Sequence, residues 1–187
     1  MNCYFLMEGQ KTEKQVYSAW MGYLFPGIQR RERLEDLQGN SYFMLAGHGY
    51  PFGERQINQA VMDVNRHGDI QHFFICVDAE DEDVEQKRLF ITEQASRYKP
   101  LVQPVVVIAN CCIETWFLGN QKMIVQDPAL GSRLGRLRKN YDVMTLDPEL
   151  MPKPENSLSA RARFHYWYLV AAMKENGFFT LKVIRAW

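Results

Sequence analysis

The sequence lacks the features that mark membrane-spanning, secreted and P-loop proteins. No apolar run approaches the roughly 20 residues needed to cross a bilayer. The N-terminus has no basic region followed by an apolar stretch and a cleavage site. A Gly-x-x-x-x-Gly-Lys-Ser/Thr loop is also missing. These absences lead us to expect a cytoplasmic domain.

Cysteine and histidine are scarce and are not spaced like metal ligands. The four cysteines lie in or beside apolar, strand-like runs: Cys3, Cys76, Cys111 and Cys112. The four histidines are scattered: His48, His67, His72 and His165. Neither His-x-x-x-His nor Cys-x-x-Cys occurs. We therefore expect buried free thiols, and we do not expect nitrogen or sulfur ligands for a metal.

Charge is balanced over the whole chain but not along it. The 22 basic and 22 acidic residues give no net charge, which argues against a protein that coats nucleic acid through bulk charge. Residues 1 to 129 hold 12 Lys/Arg and 17 Asp/Glu, whereas residues 130 to 187 hold 10 and 5. An acidic site facing a basic arm suits a metal-dependent enzyme acting on a polyanion, although ordinary surface variation gives the same distribution.

Apolar strand-like runs alternate with helical patterns through most of the chain. The predicted strands are Cys3–Met7, Tyr42–Ala46, His72–Val77 and Pro104–Ala109. The predicted helices follow Thr12, cover Glu54–Asn65 and 84–98, and begin again near Glu114. This alternation predicts an α/β fold with a central, mostly parallel sheet flanked by helices. We expect one α/β domain over 1–125, with a basic connector and a C-terminal helix (126–187) packing on the same domain.

Several local features are predicted less directly from the pattern. Thr12 and Gln15 have the spacing of a capping box, and 29–38 is either an excursion or a short solvated helix. Residues 130–140 are predicted to be a loop or extended connector. A last helix, capped by Ser157 or Ser159, is predicted to run through Glu175, and 178–187 is a candidate edge strand. The apolar face expected for that last helix consists of Ala162, Tyr166, Leu169 and Met173.

Acidic side chains follow two of the predicted strands. In an open parallel sheet, ligands bind beyond the carboxyl ends of the strands, and Glu8 and Asp78 both occupy such ends. Asp78 and Glu80 are two residues apart, so their side chains would project to the same side if the backbone stays extended that far. Three converging carboxylates would offer the hard oxygen ligands that Mg²⁺ prefers.

These residues also carry a family resemblance. Glu8-Gly9 after the first strand, with Asp78-Ala79-Glu80 after a later one, resembles the signature of the Toprim domain. The run Phe5 to Lys14, FLMEGQKTEK, is similar to that of small RloB-like and overcoming-lysogenization-type defence nucleases. The segment from Asn110 to Trp116 shares this similarity, which covers roughly residues 3 to 120. The resemblance implies a Toprim-type, Rossmann-like catalytic domain over 1–125.

The resemblance also implies roles for individual residues. Glu8 would be the general acid or base and a possible metal ligand, while Asp78 and Glu80 would bind Mg²⁺, for which Mn²⁺ can substitute. Glu114 would be an accessory acidic residue. Glu80 stands where the family pattern has a second Asp, so either the site tolerates the longer side chain or Asp81 takes its place.

Each acidic residue also has a simpler explanation. Glu8 and Glu114 can favour the start of a following helix, where a carboxylate contributes about 0.3 to 1 kcal/mol. The acidic residues 81–85 fit a solvated helix start.

Basic residues in the second half are candidates for phosphate contacts. Arg133, Arg136, Arg138 and Lys139 lie close together in sequence. Arg161 shares a helical face with His165 and Tyr168. Solvated surface explains all of them equally well.

The leading functional hypothesis is a Mg²⁺-dependent nuclease acting on DNA or RNA, plausible as the effector of an anti-phage or mobile-element system with a partner ATPase. A second hypothesis is an interaction or regulatory module that kept the Toprim fold without catalysis. A small-molecule phosphoryl-transfer enzyme ranks third, because the common Asp-nucleophile form places Asp-x-Asp after the first strand, where this chain has Glu8.

Overall fold

The computed structural model describes residues 1–47, 52–155 and 158–178. The strands are β1 (Asn2–Met7), β2 (Gln29–Arg31), β3 (Ser41–Ala46), β4 (His72–Asp78) and β5 (Pro104–Ala109). The α-helices are α1 (Thr12–Leu24), α2 (Glu54–His67), α3 (Val84–Arg97), α4 (Ile113–Leu118), α5 (Arg133–Asn140) and α6 (Arg161–Glu175). Short 3₁₀ helices cover Leu34–Asp36, Gln121–Met123 and Pro148–Leu150.

The five strands form one parallel sheet in the order β2-β3-β1-β4-β5. β1 lies between β3 and β4, with Met7 opposite Ala46 on one side and Cys76 on the other. The predicted α/β fold with a parallel sheet flanked by helices is therefore confirmed. No described helix is long and apolar enough to cross a membrane.

β1 is apolar along almost its whole length because both of its faces are buried. Tyr4 and Leu6 point into a core that includes Ile57 and Ile91, from α2 and α3. The alternate residues Cys3, Phe5 and Met7 point into a second core, which includes Met21 of α1. Helices on both faces of a parallel sheet require continuous apolar strands, since successive side chains alternate between the faces.

Contacts divide the chain into two compact units. The first, called the sheet unit, consists of Met1–Val77 and Val84–Ile108. The second, called the C-terminal unit, consists of Asp78–Asp83 and the chain from Ala109 onward. The domains expected from the sequence, 1–125 and 126–187, stay a prediction.

The C-terminal unit has its own apolar core, built mainly from α4, α5 and α6. Leu118, Leu134, Met151 and Tyr168 are fully buried in it. Helix α5 lies where a loop or extended connector was predicted, so that expectation was wrong. Ser132 starts this helix, its hydroxyl oxygen accepting a 3.0 Å hydrogen bond from the amide of Gly135.

Three further local expectations were wrong. Lys11, not Thr12, precedes α1, and no side chain caps the helix there. Residues 29–38 contain strand β2 before a 3₁₀ turn, rather than only an excursion or a solvated helix. The buried residues of α6 are Phe164, His165, Tyr168, Leu169, Ala171 and Ala172. Of the face predicted for this helix, only Leu169 is buried.

Two sequence predictions concern residues outside the described ranges. These are the possible cap at Ser157 and the edge strand, of which only Phe178 is described.

Candidate functional site

Glu8 directly follows β1 and is held there by the neighbouring strands. Its backbone amide donates a 3.1 Å hydrogen bond to the carbonyl of Cys76 in β4. Gly47, which follows β3, donates from its amide to the carbonyl of Met7 over 2.7 Å. A Cβ atom at position 47 would lie only 2.8 Å from the Glu8 carbonyl oxygen. The Glu8 side chain is 7% exposed, so it is a buried carboxyl at a strand end.

The residues next to Glu8 in the sheet unit are packed tightly. The carboxylate of Glu13 folds back over Gly9, in the space that a side chain at position 9 would need. Burial raises the pKa of the Cys76 thiol to about 12; a hydrogen bond from Tyr17 opposes that shift, and the charge of Glu13 adds to it. Cys76 therefore stays a neutral thiol at neutral pH.

Asp78 and Glu80 lie at the start of the C-terminal unit. Asp78 is the last residue of β4 and is half-buried. The amide of Ala79 donates to the carbonyl of Ala109 over 2.9 Å, and that of Glu80 to the carbonyl of Cys111 over 2.7 Å. Glu80 has φ of 56°, which is left-handed rather than extended. The extended backbone that would project Asp78 and Glu80 to the same side therefore ends before Glu80.

The other acidic candidates differ in their exposure. Asp81 and Asp83 are exposed ahead of α3. Glu114 is 5% exposed in the first turn of α4. Glu8 belongs to the sheet unit, whereas Asp78, Glu80, Asp81 and Glu114 belong to the C-terminal unit. The convergence of these carboxylates around one ion stays a prediction.

Two of the basic candidates are engaged inside the C-terminal unit. The guanidinium of Arg138 makes two hydrogen bonds to Asp142, of 2.8 and 3.0 Å. It also donates to the carbonyls of Val125 and Gln126. Arg161 donates to the carbonyls of Met151 and Glu149. Both arginines hold loops against helices, which gives them a structural role whatever else they contact.

Other basic residues of α5 and α6 face solvent. Arg133, Arg136 and Lys139 are exposed. The guanidinium groups of Arg133 and Arg163 lie 6.0 and 5.6 Å from the ring centroid of Trp167, within range of a cation–π interaction.

Two residues of the helical face that Arg161 was expected to share do not reach solvent, whereas phosphate binding by Arg161 itself stays a prediction. His165 and Tyr168 are both completely buried, so neither reaches a phosphate. The expectation was wrong for these two because the register of α6 turns both side chains into the core.

All four cysteines are free and buried, as expected. What the sequence did not indicate is that Cys111, Cys112 and His165 lie together, with potential ligand atoms all within 4.8 Å of one another. His165 stands 50 residues beyond Thr115, its hydrogen-bond partner. The only signal in the sequence was the adjacent pair of cysteines, since helix packing supplies the histidine.

Hydrogen bonds fix the ring of His165. Its Nε2 lies 2.9 Å from the carbonyl oxygen of Met151. Because a carbonyl only accepts, Nε2 carries a proton and donates. Nδ1 lies 2.8 Å from the Thr115 hydroxyl, which donates to it when the ring is neutral.

The two adjacent thiols have opposite electrostatic environments. A hydrogen bond from Cys112 lowers the pKa of Cys111; burial opposes this shift, and His165 and Arg161 add to it. The same hydrogen bond raises the pKa of Cys112, and burial raises it further. The pair therefore favours a thiolate at Cys111 and a thiol at Cys112.

Comparison with known proteins gives no relative: no family model matches the chain, and neither the curated proteins nor the solved structures contain a significant match.

Proposed function

We propose that this protein is a Mg²⁺-dependent nuclease of the Toprim type that hydrolyses phosphodiester bonds in DNA or RNA. The observation that supports this most is the position of two acids on neighbouring parallel strands. Glu8 follows β1, and Asp78 is the last residue of β4, which pairs with β1. In parallel sheets, ligands bind beyond the carboxyl ends of strands, and that the two acids serve one ion is part of the proposal.

The acidic residues fit the chemistry of a Mg²⁺ site. Asp78 and Glu80 offer hard carboxylate oxygens, which Mg²⁺ prefers over nitrogen and sulfur. A bound Mg²⁺ supplies neutralisation of phosphate charge and orientation of the attacking water. Glu8 would accept or donate the proton of the reaction.

The exposed basic residues suit a polyanionic substrate. Arg133, Arg136 and Lys139 of α5 would bind phosphates, and Arg163 adds a fourth cation on α6. Such contacts would make binding fall steeply with salt. A separate ATPase partner, which the resemblance implies, belongs to the same proposal.

Incubation with nucleic acid tests the proposal directly. Purified protein is mixed with labelled DNA and RNA pools in Mg²⁺, in Mn²⁺ or in chelator. We expect cleavage that needs the divalent ion and is lost in Asp78→Asn. Asp83→Asn, an exposed acid five residues along the chain, is the matched control and should keep full activity. Nucleic-acid binding without cleavage, in every ion tested and with the ATPase partner present, would favour the interaction module instead.

A further inference from the structure

We propose that Cys111, Cys112 and His165 form a second metal site, which binds a thiophilic divalent ion of the Zn²⁺ class. Two sulfurs and one ring nitrogen lie within 4.8 Å of one another, and all three residues are buried. Its ligands are not the carboxylates of the proposed nuclease centre. It differs from them in ligand chemistry and in the ion it would select.

The ligand types determine which ion fits. Two thiolates and one imidazole are a known zinc ligand set, whereas Mg²⁺ and Ca²⁺ are bound through oxygen. Charge points to a divalent ion as well. Two thiolates neutralise a dication, so the buried group carries no net charge, and an isolated buried charge would be costly.

His165 is oriented as a metal-binding histidine usually is. Such a histidine donates its second ring N–H to a carboxylate, a carbonyl or water. Here Nε2 donates to the Met151 carbonyl, which leaves the lone pair of Nδ1 for the ion. The Thr115 hydroxyl now occupies that direction and would turn away when the ion binds.

The backbone brings two consecutive cysteine side chains together in an unusual way. Cys111 has φ of 65°, while Cys112 is extended, with φ of −156° and ψ of 169°. A left-handed conformation is uncommon for a residue other than glycine, and it persists only where surrounding structure imposes it. The bond from the Glu80 amide to the Cys111 carbonyl is part of that structure.

The binding step balances in charge and atoms. Both cysteines would bind the ion as thiolates. Two metal–sulfur bonds and one metal–nitrogen bond form, any S–H bond still present in the pair breaks, and its proton goes to solvent. No oxidant or reductant is required. Because a proton is released, affinity should fall as pH falls.

Titration of the full-length protein tests this site. The protein is first treated with reductant and chelator, then exchanged into metal-free buffer and titrated with Zn²⁺ against a chromophoric chelator. We expect one equivalent to bind and to raise the melting temperature. Excess Mg²⁺ should not displace it. Co²⁺, used as a spectroscopic probe for Zn²⁺, should give a thiolate-to-metal charge-transfer band, which carboxylate binding cannot produce.

Variants distinguish Zn²⁺ binding at this site from Zn²⁺ binding elsewhere on the protein. Cys112→Ser and His165→Gln should each weaken Zn²⁺ binding at least roughly 100-fold, since losing a group that only hydrogen-bonds a metal ligand already costs about 10- to 100-fold. Cys76→Ser, at a buried cysteine of the sheet unit, is the matched control and should keep wild-type affinity. Absence of the charge-transfer band in wild type overturns the proposal even if the variants fail to fold. Equal Zn²⁺ affinity of wild type and Cys112→Ser would overturn it as well.

Discussion

The backbone amide of Glu80 donates a 2.7 Å hydrogen bond to the carbonyl of Cys111, and both residues have positive φ, of 56° and 65°. Two uncommon backbone conformations are thus joined by one bond inside the C-terminal unit. One of them belongs to a candidate Mg²⁺ ligand and the other to a candidate zinc ligand. Strain of this kind is often retained at functional sites.

The left-handed conformation of Glu80 predicts how substitutions there will behave. Glu80→Asn should fold with nearly wild-type stability, because Asn tolerates this conformation. Glu80→Val should lose about 1 to 2 kcal/mol, since a β-branched residue at positive φ is a genuine outlier. Urea denaturation of the three proteins measures the difference. Equal stability of the Asn and Val variants would show that residue 80 is not held in this conformation. Glu80→Asn also removes the charge with the backbone intact, so it should still lose cleavage.

Gly47 should be intolerant of a side chain. Gly47→Ala places a Cβ 2.8 Å from the Glu8 carbonyl oxygen, so the backbone must shift, at a cost of about 1 to 3 kcal/mol. Gly22→Ala in α1 is the matched control, because nothing lies within 4 Å of its new Cβ. That control should gain up to about 1 kcal/mol from helix propensity. Thermal and urea unfolding of both variants check the prediction, and a neutral Gly47→Ala would contradict the close approach.

Alanine substitutions at Arg138 and Arg136 should differ in their effects on stability and on nucleic-acid affinity. Arg138→Ala removes the paired bonds to Asp142 and those to two carbonyls. It should therefore lose about 1 to 3 kcal/mol of stability. Arg136→Ala loses one bond to the Gly131 carbonyl and is exposed, so its stability should change by no more than about 0.5 kcal/mol. Nucleic-acid affinity of Arg136→Ala should nevertheless fall, with a shallower salt dependence. Unchanged affinity would remove Arg136 from the proposed phosphate surface.

The ion pair between Arg138 and Asp142 also predicts a pH dependence. The hydrogen bond from Arg138 lowers the pKa of Asp142 below its ordinary value of 3.8. A carboxyl group whose pKa is lowered in the folded state stabilises the fold at pH values above its ordinary pKa. That stabilisation is lost as the pH falls through the folded-state pKa. The stability gap between wild type and Arg138→Ala should therefore be constant near neutral pH and narrow below pH 3.8. A gap measured in urea that does not change with pH would contradict this.

Sequence patterns identified the sheet well because its strands are buried on both faces. The run from Cys3 to Met7 is apolar at every position, and no helical period competes with it. Gly68 likewise marked the end of α2, where φ of 76° requires a residue such as glycine. Strong local signals of this kind depend little on distant contacts.

Other features could not be predicted because distant residues determine them. Helix α5 contains a glycine and several basic residues, and it forms because Leu134 is buried against the core of the C-terminal unit. The burial of His165 depends on the register of α6 rather than on any local pattern. The turn at Glu80 follows from its bond to Cys111, 31 positions further along the chain.

The proposed nuclease activity depends on acid–base chemistry by Glu8, which the Glu8→Gln variant removes. The measurement is the Mg²⁺-dependent cleavage rate of wild type and Glu8→Gln on the same labelled nucleic acid, with circular dichroism to verify the fold. General acid–base groups contribute about 10²- to 10⁴-fold in rate, so we predict a loss of that size with the fold preserved. Equal rates for the two proteins, or no cleavage by either on any nucleic acid with the partner ATPase present, would contradict the account.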